Sequence, residues 1–213
     1  LTHLVPLFFE IRTVTDNVKI DELIAKLGYD LSQEEISKKL KSGSVSLNSE
    51  KKIFDDIKDS HLPRKETDDL YNWIISEKES ETKEVQNVCL LVGQAGYGKT
   101  VILKDLYDKC NLNGIPVLGL KADKLYTYTL DGLQKSLGFP IPVNEFIETC
   151  KKYHKKTVIL IDQIDALSQS MASDRNYLNV FRSFIDQFTK DNSVRIIISI
   201  RPYELYYDPS LRI

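Results

Sequence analysis

The sequence has no excess of charge of either sign: 29 Lys plus Arg stand against 31 Asp plus Glu, for a formal net charge of -2. A chain so balanced offers nucleic acid or an anionic membrane no long-range attraction, and a charge-driven DNA binder is disfavoured. Also missing are any apolar run near the roughly 20 residues that a bilayer helix needs and the h-region and cleavage pattern of a secretory signal. Together these absences read as a cytoplasmic protein with no membrane partner. Cysteine is scarce. Cys89, Cys110 and Cys150 stand singly, in neither the paired spacing of a zinc site nor a disulfide framework, and read as buried small apolar side chains. His3, His61 and His154 are too far apart in sequence to suggest a ligand cluster. Internal repeats and low-complexity tracts are absent. What remains is an ordinary globular composition, 42% hydrophobic, 28% charged and 9% aromatic over 213 residues, enough for one main core with an accessory. The ends, Leu1 and the tail Leu211-Arg212-Ile213, read as the edges of a piece of a longer protein.

Residues 1–60 read as a mainly helical segment. Val18, Leu23, Ile24 and Leu27 share one helical face over 16–27 and meet Gly28 at a left-handed stop. Ser32 followed by Glu35 is a capping box, and Ile36 and Leu40 form the apolar stripe of a second helix that Gly43 closes. A third turn over 53–57 is broken at His61-Leu62-Pro63, because the residue before proline is pushed out of the α region. A new unit, 61–213, starts there. Leu70, Trp73 and Ile74 mark a helix after Glu66, and the polar run 77–84 makes a solvated connection. Beyond it the character changes. The short apolar runs VCLLV (88–92), IPVLGL (115–120), TVILI (157–161) and VRIIISI (194–200) alternate with helical patterns, notably over 100–110 and 175–188. Strands buried on both faces and alternating with helices predict an α/β fold with a parallel sheet.

Between the run VCLLV and the helical pattern Val101, Leu103, Leu106, Tyr107 lies Gly93-Gln94-Ala95-Gly96-Tyr97-Gly98-Lys99-Thr100. Strand before and helix after are the context that the pattern GxxxxGK[ST] requires. Glycines let the backbone wrap so that successive N–H groups face anionic oxygens, and the helix start adds unpaired donors and a positive dipole end. Lys99 is expected to reach the β and γ phosphates, and the Thr100 hydroxyl to ligate Mg²⁺. The nucleotide-binding set is therefore Gly93 to Val101, a P-loop nucleotide site with a place for Mg²⁺ at Thr100; that the nucleotide is ATP is implied only by a family resemblance.

A second strand beside such a loop must offer a carboxylate, and Val158-Ile159-Leu160-Ile161-Asp162 does. Asp162 at the strand's carboxyl edge is expected in the Mg²⁺ shell. Asp165, three residues on, has two readings: it orients or deprotonates the attacking water, or it is a helix-capping turn residue. Arg201 follows the run Val194 to Ile200. Ligands of open α/β sheets sit outside the carboxyl ends of the strands, so this Arg emerges on the rim that Gly93 and Asp162 share. Its fork suits sensing of the γ phosphate, and a solvated surface role is the bland alternative.

The combination GQAGYGKT, LIDQIDALS and IIISIRP resembles the STAND branch of AAA-like P-loop ATPases, the NACHT-related signalling switches that include many prokaryotic anti-phage sensors. The resemblance spans about 62–213. It implies an additional-strand sheet, in which the strand ending at Arg201 lies between the phosphate-loop strand and the strand ending at Asp162. It further implies ATP and ADP as ligands, slow hydrolysis, homo-oligomerisation on activation by a protein trigger, and a fifth strand with a helical and winged-helix lid beyond Ile213. Such proteins carry an arginine motif before the phosphate loop; Leu62-Pro63-Arg64-Lys65-Glu66 resembles it, with Pro63 where the family has glycine, so Arg64 becomes a candidate for the nucleotide rim. The segment 4–12 (LVPLFFEIR) resembles the second strand of a NACHT-type core.

Two other features have plainer readings. Lys151, Lys152, His154, Lys155 and Lys156 read as the solvated end of a helix rather than a polyanion site. Tyr126, Tyr128 and Phe139 lack surrounding basic residues and read as packing rather than base stacking. An AAA-type motor acting on nucleic acid is the main competing function, and the balanced charge argues against it. A small-molecule kinase would need an arginine-rich lid after Asp162, and only Arg175 and Arg182 occur between Leu167 and Asp191.

Overall fold

The computed structural model describes residues 31–52, 61–76, 87–169 and 176–207. The predicted helix over 16–27, the turn over 53–57, the connection over 77–84 and the strand-like segment 4–12 lie outside the described residues. Four strands, β1 (Val88–Val92), β2 (Val117–Lys121), β3 (Thr157–Asp162) and β4 (Val194–Ile200), form one all-parallel sheet in the order β1-β4-β3-β2. β1 therefore lies beside β4, and β4 beside β3. This is the arrangement the family resemblance implies, with the strand before Arg201 inserted between the other two.

Alternation along each strand sorts the side chains to opposite faces, as the pleat requires. Leu118, Leu120, Ile159, Ile161, Ile196 and Ile198 join one core cluster, while Val117, Val158, Leu160 and Ile197 join the other. Helices cover both faces. The first cluster meets α1 (Gln33–Gly43), α5 (Leu130–Leu137), α6 (Val143–Cys150) and α8 (Asn176–Asp186); the second meets α2 (Val45–Asn48), α3 (Lys65–Ile75) and α4 (Lys99–Leu112). Two short helices, α7 (Ala166–Gln169) and α9 (Pro202–Tyr207), follow β3 and β4.

The capping box at Ser32 and Glu35 is formed, with Ile36 and Leu40 buried on α1. Gly43 is the last residue of α1, as expected, and after Ser44 the chain resumes as the short helix α2. This turn lies along β2, an edge strand of the sheet among the described residues, and supplies side chains where a neighbouring strand would supply carbonyls. Gly119 N–H donates to Ser44 Oγ at 2.9 Å and Lys121 N–H to Ser46 Oγ at 3.3 Å. Leu47 closes in so tightly that a Cβ on Gly119 would lie 2.7 Å from its Cδ2. Covering an edge in this way protects it from pairing with other chains. Ser44 is fully buried, so Ser44→Ala leaves a buried backbone donor unpaired, and urea unfolding is expected to show a loss of about 1–3 kcal/mol.

Cys110 and Cys150 are fully buried, and burial pushes both thiols up to about 12. Cys89 is half-buried and its thiol is raised for the same reason. Lys151 pairs with Glu148 and Asp191, and Lys156 donates to the Asn192 carbonyl at 2.7 Å, so these lysines bind the end of α6 and the start of β3 to the turn before β4. Phe139 stacks on Phe146 with centroids 4.1 Å apart. Tyr126 and Tyr128 depart from the packing expected of them: both are more than half exposed and flank Tyr177, whose hydroxyl donates to that of Tyr128 at 2.7 Å. No helix among the described residues is long and apolar enough to cross a membrane.

Candidate functional site

The loop between β1 and α4 starts as an extension of the sheet. Gly93 N–H donates to the Ile200 carbonyl at 3.2 Å, which ties its first residue to the end of β4. The chain then turns, with Tyr97 N–H on the Gln94 carbonyl at 3.3 Å and Gly96 and Gly98 at φ +80° and +78°. That left-handed conformation suits glycine, and at Gly98 any side chain would also collide. A Cβ there would sit 2.8 Å from Nη2 and 2.9 Å from Cζ of Arg64. The upstream arginine thus lies against the phosphate loop, and its Nε is buried with no hydrogen-bond partner among the described residues.

Gly98 is the cap of α4, and no side chain caps that helix and no acidic residue occupies its first turn. Its leading N–H groups are thus left for another acceptor, and the dipole favours an anion there. Lys99 folds back into the loop, its Nζ donating to the carbonyls of Gly93 at 2.5 Å and Gln94 at 3.0 Å. Burial pushes this ammonium's pKa down, Asp165 and Asp162 hold it up, and Arg201 adds repulsion.

Asp162, the last residue of β3, is fully buried. Its Oδ2 accepts from Thr100 Oγ1 at 2.7 Å and its Oδ1 from Ser199 Oγ at 2.5 Å. Burial raises its pKa; the hydrogen bonds from Ser199 and Thr100 and the charge of Lys121 oppose the rise, and Asp123 adds to it. Ser199 also accepts from Gln163 N–H at 2.9 Å, which holds Gln163 at φ +57°. A non-glycine residue in that region is strained, and here the strain lies at the edge of the site. Asp165, 3% exposed at its side chain, pairs with Nε of Arg201, which is 33% exposed. This bond raises the guanidinium's pKa against the opposing effect of burial. Glu204 lies on the other side, 4.0 Å from Nη2.

These groups converge on a cleft of about 350 Å³ lined by Ala95, Gly96, Gly98, Lys99, Thr100, Gln163, Asp165 and Arg201, within the roughly 300–1,000 Å³ of small-molecule sites. A second hollow, of about 140 Å³ beside Ile36, Ile115, Pro116 and His154, lies near the start of β2 and contains none of the loop or acidic residues. Of the residues singled out in the sequence, Lys99, Thr100, Asp162, Asp165 and Arg201 come together at the carboxyl edge, and Arg64, the N-cap residue of α3, reaches the loop. Ser199, Gln163 and Lys121 complete the surroundings of Asp162 and carry no motif of their own. Gln163 alone has a local cue, its place next to the acidic strand end.

Among the described residues no three His, Cys, Asp or Glu side chains are grouped to hold a metal. The pair Thr100 and Asp162 is a two-donor set of hard oxygens, which suits Mg²⁺ because that ion keeps waters and takes its other ligands from phosphate. The uncapped helix and the orphaned Arg64 Nε similarly fit an anionic ligand.

A parallel sheet in this strand order, with a glycine-rich loop running from its first strand into an uncapped helix, defines a P-loop nucleoside triphosphatase fold. Residues 89–212 match the model of the ATPase family associated with various cellular activities (AAA). The match covers more than half of the 213 residues, and the chain belongs to this family. Nucleotide binding and ATPase activity, usually with Mg²⁺, go with that membership. Comparison with curated proteins gives no match.

Proposed function

We propose that this chain is the ATP- and Mg²⁺-binding module of a STAND-type signalling switch, one that hydrolyses ATP slowly and assembles into a homo-oligomer when a protein trigger activates it, in a cytoplasmic role such as antiviral defence. The observation that carries the nucleotide part is the Thr100–Asp162 hydrogen bond: it joins the phosphate loop to the acidic strand end, directly beside Lys99. The switch part rests on the arginine strand between the two, the arginine before the loop and the absence of a basic excess that a nucleic-acid motor would need.

In this reading the residues divide the work. The backbone N–H groups from Gly93 to Val101 cradle the phosphates, and Lys99 leaves the Gly93 and Gln94 carbonyls for the β and γ oxygens. Thr100 and Asp162 hold Mg²⁺, which when bound neutralises charge on the β and γ oxygens. Asp165 orients the attacking water or takes its proton, Arg201 reads the γ phosphate, and Arg64 closes the rim.

Asp162→Asn tests the metal assignment. The variant keeps the size and one acceptor oxygen but exchanges the other for a donor and loses the charge, so the Mg²⁺ concentration for half-maximal ATP binding is expected to rise roughly tenfold, the value of one modest charged contact. Calorimetric ATP titrations at several Mg²⁺ concentrations measure it, and an unchanged Mg²⁺ dependence would remove Asp162 from the metal shell.

A further inference from the structure

Residues 48–52 lie across the two elements that carry the phosphate loop and the neighbour of Asp162. Asn48 Oδ1 accepts from Lys104 Nζ at 2.9 Å. Lys52 Nζ pairs with Asp105 at 2.8 Å and Asp108 at 2.5 Å. Lys104, Asp105 and Asp108 all belong to α4, the helix that starts at Lys99. Between these anchors Glu50 turns to the sheet, its Oε1 accepting from Lys121 Nζ at 2.9 Å and Lys124 Nζ at 3.2 Å. Alternate residues 48, 50 and 52 thereby strap α4 to the end of β2.

The bond to Lys121 bears on the site. Lys121 is the register partner of Asp162, so their side chains leave neighbouring parallel strands on the same face of the sheet. It is 5% exposed, which makes it a buried cation beside a buried carboxylate. Such a cation competes with a divalent ion for that carboxylate unless another anion takes up its charge. Asp123 also acts on both groups, but the carboxylate that hydrogen-bonds Lys121 is Glu50.

We infer that Glu50 is a positioning residue of the nucleotide site: by holding Lys121 it keeps that ammonium off Asp162 and sets the Mg²⁺ requirement for nucleotide binding. The inference rests on the reading of the cleft as an Mg²⁺-nucleotide site. It makes the seating of the strap on α4 and β2 an electrostatic input to a site to which the strap contributes no contact.

A fluorescent ATP analogue titrated onto the full chain at rising Mg²⁺ measures the effect. Glu50→Gln keeps the size and an acceptor oxygen but removes the charge. It is expected to raise the Mg²⁺ concentration at half-saturation roughly three- to tenfold, with affinity in EDTA moving less than about twofold. Lys121→Met is expected to shift the Mg²⁺ dependence the opposite way, Glu50→Asp to restore it partly, and the Glu50→Gln/Lys121→Met double variant to return near the parent. A merely structural role would move both single variants in one direction and change the EDTA affinity too. If the two singles shift together, or neither shifts, while Lys99→Ala still abolishes binding, the inference falls and the nucleotide reading stands. If the unsubstituted chain shows no Mg²⁺-dependent nucleotide binding, both fall.

Discussion

Lys99→Ala is expected to weaken ATP binding by a hundredfold or more, on the order of 3 kcal/mol. The ammonium is the only charged side chain that donates to the carbonyls of Gly93 and Gln94 among the described residues, and these bonds show that it already sits inside the curl of the loop. A nucleotide entering there replaces neutral carbonyl acceptors with phosphate oxygens, and each charge-assisted bond to phosphate contributes about 1.5–3 kcal/mol. Two such bonds, to the β and γ groups, account for the expected loss. Arginine is no substitute, because its planar fork cannot occupy the place of a compact ammonium. The cost to the fold is small by comparison, since Lys99 lies on the rim and in neither core cluster. Calorimetric titration of ATP with Mg²⁺ decides the matter, and light scattering on the same samples tests whether any ATP-dependent gain in mass disappears with the lysine. Equal ATP affinity in parent and variant would sink the nucleotide reading.

The parts legible in the sequence are those whose physics is local. The runs VCLLV, TVILI and VRIIISI locate β1, β3 and β4 to within a residue. β3 and β4 are buried along their whole length, where a nearly continuous apolar run marks a strand covered on both faces, whereas β1 is only half-buried and leaves Val92 exposed. The run at 115–120 starts early. Pro116 has no N–H to give the ladder, and only its carbonyl takes part, accepting from Val158 N–H at 2.8 Å. Thus β2 begins at Val117. The phosphate loop is legible for a similar reason, since eight consecutive residues hold both the glycines that turn the chain and the lysine that fills the turn. Contacts between distant segments are not written in any period. Ser199 meets Asp162, Glu50 meets Lys121, and Arg201 meets Asp165 only because β4 is inserted next to β3 and the strap crosses the end of β2. Helices α5 and α6 receive no bounds from the sequence, although the segment between β2 and β3 reads as helical and the lysine run at 151–156 as a helix end, because each has only eight residues and they are separated by a turn rich in proline. Tyr126 and Tyr128 mislead for a different reason: tyrosine is apolar enough to suggest burial, and its hydroxyl lets it stand in water.

Arg201→Ala is expected to lower ATP affinity roughly ten- to a hundredfold at moderate salt and to change ADP affinity by less than about threefold. Arg201 follows β4 directly and lines the same cleft as Lys99 and Thr100. It is already committed to an anion, since its Nε is held by Asp165, and a phosphate oxygen must either displace that carboxylate or share the fork with it. A guanidinium can share, because it carries five N–H donors and a carboxylate at Nε takes up only part of that capacity. In the proposed reading Asp165 holds the arginine in place and partly balances its charge, so the expected gain on binding ATP is less than that of a bare cation. Removing the arginine has a second consequence. It leaves the nearly buried Asp165 carboxylate without its guanidinium partner in a cleft that must accept more negative charge, which opposes ATP more than ADP because ATP carries the greater negative charge. Both effects point the same way, so the ATP-to-ADP ratio responds more strongly than either affinity alone. ADP also serves as the internal control for folding, since a variant that had lost its structure would bind neither nucleotide. Competition binding of ATP and ADP to parent and variant separates the outcomes. Equal losses would make Arg201 a general phosphate clamp, and no loss for either would leave it a surface partner of Asp165.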